Sequence, residues 1–524
     1  MKNKKKGNEM KFYITTPIYY VNDVPHIGHS YTTIAADIMA RWKKLNNFDV
    51  FFLTGTDEHG AKIAQSAKEK GKTPQELVDE TSAAFKEAWR LLNISYDRFI
   101  RTTDADHIAG TEKIVNILFE KGLIFKKTYQ ALYCVGCERF YPEKDLDENG
   151  CCPFHKTKPA LQSEENYFFK LSGFQDELLK RITDKNHKEH IEIQPEERRN
   201  EIIGKLKLGL EDISFSRAAI DWGIPVPFDK KQTVYVWVDA LINYATGLGY
   251  TENSDAFNKY WPADIHLMAK DILWFHSVIW PAILMGSGLA TPKKIYSHGF
   301  FTINGDKMSK SLGNVISPRQ IVDKYGVDAA RYLAVTLIPF GPDGDISWDA
   351  LTAKYNTDLA NNLGNLISRT LKMAEKNFDL KVPDAEPDLE LANKVAKILN
   401  EDFSPAMNGL YLHKASEALQ KALTIVNQQI ENDAPWKLAK TNPEKLPSCI
   451  FSYLQAADLI LMHLLCFMPE LSEKIWAVTG AAGNITETAK KYFKDNIIPA
   501  EGFSPSGSAL QAPGILFPRI TDAK

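Results

Sequence analysis

Two residue pairs in this chain have the spacing to handle a polyphosphate: His26 and His29, separated by Ile27 and Gly28, and Lys307 and Lys310, separated by Met308 and Ser309. Two imidazoles flanking Gly28 can both reach a nucleotide, and the glycine lets the backbone pass close to it. Lysine is a compact, rotatable point charge that suits phosphate oxygens. Charge that develops on a transferring phosphorus needs such donors. Taken singly, each pair has a bland alternative. His-x-Gly-His also suits a helix-capping loop, and Lys-x-x-Lys a solvated basic turn on the glycine-bounded stretch 305–314. Together, on two halves of one α/β pattern, they are hard to explain that way.

A second group of residues suits a metal. Cys134-x-x-Cys137 is followed by Cys152-Pro153-Phe154-His155, two ligand pairs joined by a short loop. That pattern predicts a tetrahedral Zn²⁺ knuckle with all four positions filled and a structural role. Cys151 is a spare thiol that could stand in for Cys152, and redox use of the Cys-x-x-Cys is the lesser alternative. Six cysteines in 524 residues do not make a disulfide scaffold.

The elements that must position these groups are legible around them. Phe12 to Thr16 reads as a buried strand of β-branched and aromatic residues. A loop with Asn22, Asp23 and Pro25 follows, and then a helical pattern from about Ser30 through Ile34, Ile38, Met39 and Trp42. Strand, loop, helix places the histidines where a helix N-terminus offers N–H groups to an anion. Val50 to Leu53 predicts a second strand ending in Thr54-Gly55-Thr56-Asp57-Glu58-His59-Gly60, followed by helices over 61–70 and 73–92. Thr73-Pro74-Gln75-Glu76 supplies the cap of the latter. Alternation of this kind predicts a doubly wound parallel sheet. Residues 126 to about 170 interrupt it with cysteines and turn residues, and helical, charge-rich sequence runs to about Leu210. Val234 to Val238, Ile265 to Met268 and Lys294 to Phe300 read as strands of a second half, with a helix from about Ile272. From about Leu351 onward the pattern is a helical bundle, with an apolar tail at 514–520 that can dock on it.

Composition excludes several classes. Hydrophobic and charged fractions of 44% and 25% are ordinary for globular chains, and the length calls for two to four domains. A net charge of -3 gives no global basic field, so a nucleic-acid partner must be gripped by local patches. The most apolar run, Ala456 to Met468, is too short for a bilayer and is interrupted by Asp458 and His463; it reads as a buried helix. The lysine-rich start, MKNKKKGNEM, has no apolar segment after it and no presequence character. A disordered tail over 1–10, with Met10 as an alternative start, and a cytoplasmic location are expected.

The combined motifs resemble those of the methionyl-tRNA synthetase family within the class I aminoacyl-tRNA synthetases. TTPIYYVNDVPHIGHSY, TGTDEHG, VWVDALINY, DILWFHSVIWP and DKMSKSLGN carry the resemblance, which covers nearly the whole chain. It implies a Rossmann-like catalytic domain over 11–125 and 226–350, the latter with the lysine loop and a stem-contact region. A connective insertion with the zinc knuckle would occupy 126–225, and a helical anticodon-binding domain 351–524. It also implies activation of methionine by ATP to the adenylate, then esterification of the 3′-terminal adenosine of tRNA(Met), at the 2′-hydroxyl for this class.

By the same resemblance His26, Gly28, His29, Lys307, Ser309 and Lys310 bind ATP with Mg²⁺ on the phosphates, and Asp271 lies near the nucleotide. The family often has glycine where this chain has Ala269. Asp57 takes the methionine ammonium. Ile18, Tyr20, Trp237, Ala240, Leu241, Tyr244, Ile272, Phe275 and His276 match the side-chain pocket, whose aromatic faces suit a thioether. Asn365, Arg369 and Trp436 match the reader of the CAU anticodon, by base-edge hydrogen bonds and stacking. The family's zinc ligands fall on Cys134, Cys137, Cys152 and His155. No appended dimerising module follows the helical domain, so a monomer is expected.

Other readings fit less well. A synthetase for isoleucine, leucine or valine would carry an editing domain far larger than the 126–225 insertion. A small-molecule nucleotidyltransferase would not need Asn365, Arg369 and Trp436. A non-catalytic relative would be expected to lose His26, His29 or Lys310, and all are present.

Overall fold

The computed structural model describes residues 10–21, 24–136, 139–141, 143–154, 156–218, 220–303, 305–307, 315–385, 389–499, 502–512, 514 and 516–521. Six parallel strands form the central sheet: β1 (Lys11–Tyr20), β2 (Asp49–Asp57), β3 (Arg98–Arg101), β4 (Glu192–Gln194), β5 (Ile265–Ala269) and β6 (Lys294–His298), in the order β3-β2-β1-β5-β6-β4. The order reverses between β1 and β5. That is the switch point, where open α/β sheets bind ligands outside the carboxyl ends of their strands. The loops after β1 and β5 carry His26 and Asp271, Asp57 ends β2, and the chain after β6 leads to Lys307. Pro17 sits inside β1, and the pairing with β2 shifts register between Thr15 and Ile18, as a residue without an N–H requires.

Helix α1 (Ile27–Leu45) follows β1 and is buried on nearly all sides, from Ile27 through Ile34, Ile38 and Trp42. One face lies on the sheet. Another meets helix Val327–Thr336, where the fully buried Asp37 carboxylate pairs with the Arg331 guanidinium at 2.6 Å. Arg331 also donates to the carbonyls of Leu92, Asn93 and Phe467, so one side chain joins α1, the first α/β half and the helical bundle.

The insertion is built on an antiparallel pair, Ile124–Cys134 with Ala160–Phe169. Two short strands, Arg139–Tyr141 and Ile213–Ser214, flank it. Two expectations need correction here. The charge-rich stretch before Leu210 is not helical throughout: Glu192–Gln194 returns to the central sheet as its edge strand, between helices Gln175–Thr183 and Glu196–Lys207. A three-residue strand leaves no period to detect. Nor is Val234–Val238 a strand. The strand is Asp229–Val234, and helix Val236–Thr246 begins where the β-branched and aromatic run suggested extension. Buried partners for Asp239, in the first turn of that helix, outweigh the local preference.

Helices from Trp348 onward form the bundle. The apolar run identified as a buried helix lies at the end of helix Leu446–Leu464. Its two polar interruptions are internal joints. Asp458 accepts the hydroxyls of Thr479 and Ser504, and the His463 ring bonds the Leu459 carbonyl. The tail docks as expected. Phe517 packs on Tyr355, the Ile520 N–H donates to Asn356, and Arg519 donates to Asn361. Among the described residues, no helix is long and apolar enough to cross a membrane.

Candidate active site and RNA-facing surface

His26 caps α1. Its Nδ1 accepts the Gly28 N–H at 3.1 Å, and its own N–H donates to His29 Nδ1 at 3.3 Å, a capping box made of two imidazoles. The expected free N–H groups at this helix start are therefore partly taken: Gly28 spends its N–H on the cap. Because both Nδ1 atoms accept, each neutral ring carries its proton on Nε2. The donors move from backbone to side chain. The rings stack with centroids 3.8 Å apart. Burial, reinforced by His26, holds His29 well below the usual histidine pKa. Tyr19 fixes the turn by donating to the His29 carbonyl and bonding Thr33, with Phe85 stacked on its ring. Tyr19 and Thr33 were missed by sequence reasoning, since neither differs in type from a core residue.

Lys307 lies in a short hairpin, Phe301–Ile303 with Asp306–Lys307, pinned by Asp345, which accepts from the Gly305 N–H and the Thr302 hydroxyl. Ser309 and Lys310 lie outside the described residues, as does the Lys307 side chain. Beyond the loop, the Ile316 carbonyl accepts the Ile27 N–H at 2.9 Å, which ties its exit to the first turn of α1. The chain beyond Lys307 thus returns to the turn that carries His26 and His29. Asp271 stands exposed just past Ala269, on a single turn at the end of β5.

Most residues read as the apolar pocket come together across β1, helix Val236–Thr246 and the stretch after β5, whereas Tyr20 packs against the other core cluster. Trp237 stacks on Phe275 with centroids 4.0 Å apart. The Tyr244 hydroxyl meets His276 Nε2 at 2.7 Å, while His276 Nδ1 bonds the Ile272 carbonyl at 2.9 Å. His276 Nδ1 is therefore the protonated nitrogen, and Tyr244 donates to Nε2. Burial, against the pull of that carbonyl, drops the His276 pKa to about 4, so the ring is neutral at physiological pH. Leu241, Tyr244 and Phe275 share one core cluster, with Ile18, Trp237 and Ile272 packed against it, and Ala240 is buried nearby. Tyr20 pairs in register with Asp57, which is 8% exposed at the carboxyl end of β2.

Glu58 and His59, beside Asp57, were quoted in the motif without a role. Both are buried. Glu58 accepts from Arg101, Thr56 and Thr103, and His59 bonds Asp239. In the insertion, Cys134, Tyr141 and Cys152 form a small buried cluster with Leu146 against it. Cys151 instead turns toward the Asn149 carbonyl. Cys137 and His155 lie outside the described residues, and among the described ones no group of three or more metal-ligating side chains is present.

In the bundle, Asn365 and Arg369 lie on one face of helix Gly364–Phe378, and Arg369 sits over the Trp436 ring, 5.5 Å from its centroid. Glu431 pairs with Arg369 at 2.6 Å. Trp436 is 40% exposed, which rules out a core position.

A family model described as tRNA synthetases class I (M) matches residues 12–157 and 145–371, and one described as the anticodon binding domain of methionyl tRNA ligase matches 382–524. The chain is 46% identical over 517 residues to a methionine–tRNA ligase of Caldanaerobacter subterraneus, covering 97% of this chain and 79% of the relative. It is 39% identical to one of Streptomyces coelicolor, covering 99% and 98%. Among solved structures it resembles the Mycobacterium tuberculosis methionyl-tRNA synthetase in complex with methionyl-adenylate, at TM-score 0.90 and 38% identity, covering 97% and 100%. The apo form of that enzyme matches at TM-score 0.85 and 34% identity, covering 99% and 100%.

Proposed function

We infer the chemistry of this corner from the premise that the chain belongs to the class I tRNA synthetase family of methionine–tRNA ligases. The enzyme activates methionine with ATP to methionyl-adenylate, releasing pyrophosphate, and transfers the methionyl group to the 3′-terminal adenosine of tRNA(Met). The imidazole capping box carries this reading: two stacked rings, each with its proton on Nε2, at a helix start on the switch point of the sheet.

Attack of an already ionised carboxylate on the α-phosphorus needs no strong general base. It needs alignment and neutralisation of phosphate charge. His26 and His29 donate Nε2–H bonds to phosphate oxygens, with Gly28 shaping the turn between them. Lys307, Ser309 and Lys310 hold the departing pyrophosphate, Mg²⁺ arriving with ATP would neutralise phosphate charge, and Asp271 lies near the nucleotide. Asp57 takes the ammonium. Ile18, Tyr20, Trp237, Ala240, Leu241, Tyr244, Ile272, Phe275 and His276 enclose the thioether. The Tyr244–His276 bond supports this reading because it keeps both polar tips satisfied beside an apolar ligand. ATP–pyrophosphate exchange with each of the twenty amino acids is the test: methionine alone supports it, and another amino acid would overturn the pocket.

For the tRNA, the exposed Trp436 face with Arg369 above it suits an unstacked anticodon base, and Asn365 a base edge. Trp436→Ala is expected to lower kcat/KM for tRNA charging by about 10- to 100-fold, the stacking of one base, with exchange unchanged. Equal loss of both activities would remove Trp436 from the interface.

A structural zinc ion is part of the same proposal. Cys134 and Cys152 share one buried cluster, and thiolates suit Zn²⁺. Cys137 and His155 complete the set by sequence, and Cys152 is preferred to Cys151 by its burial. The ion would hold the tip of the insertion together and takes no part in the reaction. Cys134→Ser is expected to lose one equivalent of zinc by metal analysis, and full retention would remove the knuckle. The division at 125/126, 225/226 and 350/351 and cytoplasmic service rest on the resemblance, and limited proteolysis and cell fractionation test them.

A further inference from the structure

We propose that Asp239 is a positioning residue for methionine binding, its buried carboxylate locking the loop that follows Asp57 to the helix that carries Trp237, Ala240, Leu241 and Tyr244. The proposal rests on the pocket and ammonium roles given above.

Asp239 is 1% exposed, in the first turn of helix Val236–Thr246, where the free N–H groups of the helix start favour a negative charge. Each of its oxygens has an imidazole partner: His59 Nδ1 lies 2.7 Å from Oδ2, and His107 Nε2 lies 2.7 Å from Oδ1. Both histidines are buried. A carboxylate only accepts, so His59 carries its proton on Nδ1 and His107 on Nε2. His107 Nδ1 then accepts the Thr246 hydroxyl at 2.8 Å. Burial works to raise the Asp239 pKa, and the two imidazoles more than offset it, keeping the carboxyl ionised.

Asp239 and Thr246 are two turns apart on the same helix face, so the His107 ring clamps both ends of one stripe and fixes the roll of the helix. A Cβ on Gly110 would lie 2.3 Å from Thr246 Cγ2, so the two helices have no room to slide. Roll decides whether Trp237 and Tyr244 face the pocket. The other imidazole holds the loop. Asp57 ends β2, residues 58–60 leave it without ladder or helix of their own, and Gly60 turns away at φ 114. Glu58 anchors the loop to Arg101 on β3, and His59 anchors it to Asp239. Asp57 lies next to both anchors. Trp222 also holds this loop, donating to the Glu58 carbonyl and accepting the Gly60 N–H, but Asp239 is the tie that joins it to the helix carrying the pocket residues.

A merely structural Asp239 would affect stability, or all substrates alike. A positioning role separates them. In ATP–pyrophosphate exchange, Asp239→Asn is expected to raise KM for methionine roughly 10- to 100-fold, the loss of charge-assisted bonds and of alignment, with KM for ATP unchanged. His59→Ala should reproduce that rise. His59→Asn, whose amide N–H can stand where Nδ1–H stood, should restore most of the affinity, which an imidazole acting in the reaction would not allow. Unchanged methionine KM in Asp239→Asn, or an equal rise in both KM values, overturns the proposal. If Asp239→Asn does not fold, the two His59 variants decide it: wild-type behaviour of His59→Ala, or no recovery in His59→Asn, overturns it. Asp57→Asn is measured beside them. No rise there sinks the ammonium role itself, whereas a rise there without one in the Asp239 and His59 variants sinks only the positioning role.

Discussion

His29→Ala is expected to depress ATP–pyrophosphate exchange by about 10²- to 10³-fold, the usual cost of removing one donor from developing transition-state charge. Methionine binding, read from the fluorescence of Trp237, should stay within about a factor of two, because binding and transition-state stabilisation are separable terms. The expected loss is in kcat, since in the proposed role Nε2–H of His29 would meet a phosphate whose charge is redistributed only as the α-phosphorus is attacked. Truncation also removes the acceptor of the His26 N–H, so His26 loses part of its orientation. The double variant His26→Ala/His29→Ala should therefore cost less than the sum of the two singles. Since burial holds His29 well below the usual histidine pKa, its ring is neutral throughout the physiological range. The wild-type rate should show no titration of this ring near pH 6 to 7. Full exchange activity in His29→Ala would remove the imidazole from the phosphate site.

The second large effect is on stability. Arg331→Leu is expected to cost about 3–5 kcal/mol, because it strands the buried Asp37 carboxylate rather than removing a whole pair. Asp37 is also bound by Arg41 and by the Ser95 N–H, which hold on to part of it. The carbonyls of Leu92 and Phe467 lose this donor as well, whereas the Asn93 carbonyl keeps Arg41. The denaturant midpoint should fall while exchange per folded molecule is retained, since Arg331 touches none of the proposed substrate groups. Asp37→Asn/Arg331→Leu should recover part of the loss. Burial opposes ionisation of Asp37, but Arg331 and Arg41 prevail and hold its pKa at about 2. A depressed carboxyl stabilises the fold fully above the ordinary value near 3.8 and less as pH falls toward 2. This part of acid unfolding should be absent in the double variant. An unaltered midpoint in Arg331→Leu would show that the joint between the α/β half and the bundle lies elsewhere.

Local pattern carried much of this. Thr73-Pro74-Gln75-Glu76 capped the helix it predicted, the Thr73 hydroxyl accepting the Glu76 N–H and the Glu76 carboxylate accepting the Thr73 N–H. Strands β1, β2, β5 and β6 fell on the expected runs because each is buried and rich in β-branched or aromatic residues. The misses share a cause. Glu192–Gln194 is a strand only because β6 offers it an edge, and Val236–Val238 is helical because Asp239 has His59 and His107 to meet. Neither partner is near in sequence.

By itself the sequence determined the chemistry on offer: imidazoles and lysines for phosphate, thiols for a metal, aromatic residues and a carboxylate for an amino acid, and the motif spacing that marks the family. Those are properties of residue types and short intervals, which survive without knowledge of the fold. Only the tertiary structure decided how they are held. It took the Gly28 N–H away from any ligand and gave it to His26, which moved the donors onto Nε2. It brought Trp436 to the surface beneath Arg369. It also buried Asp239 between two histidines 180 and 132 residues away in the chain. Tautomer, burial and long-range pairing depend on what stands opposite a side chain, and the folded packing alone supplies that.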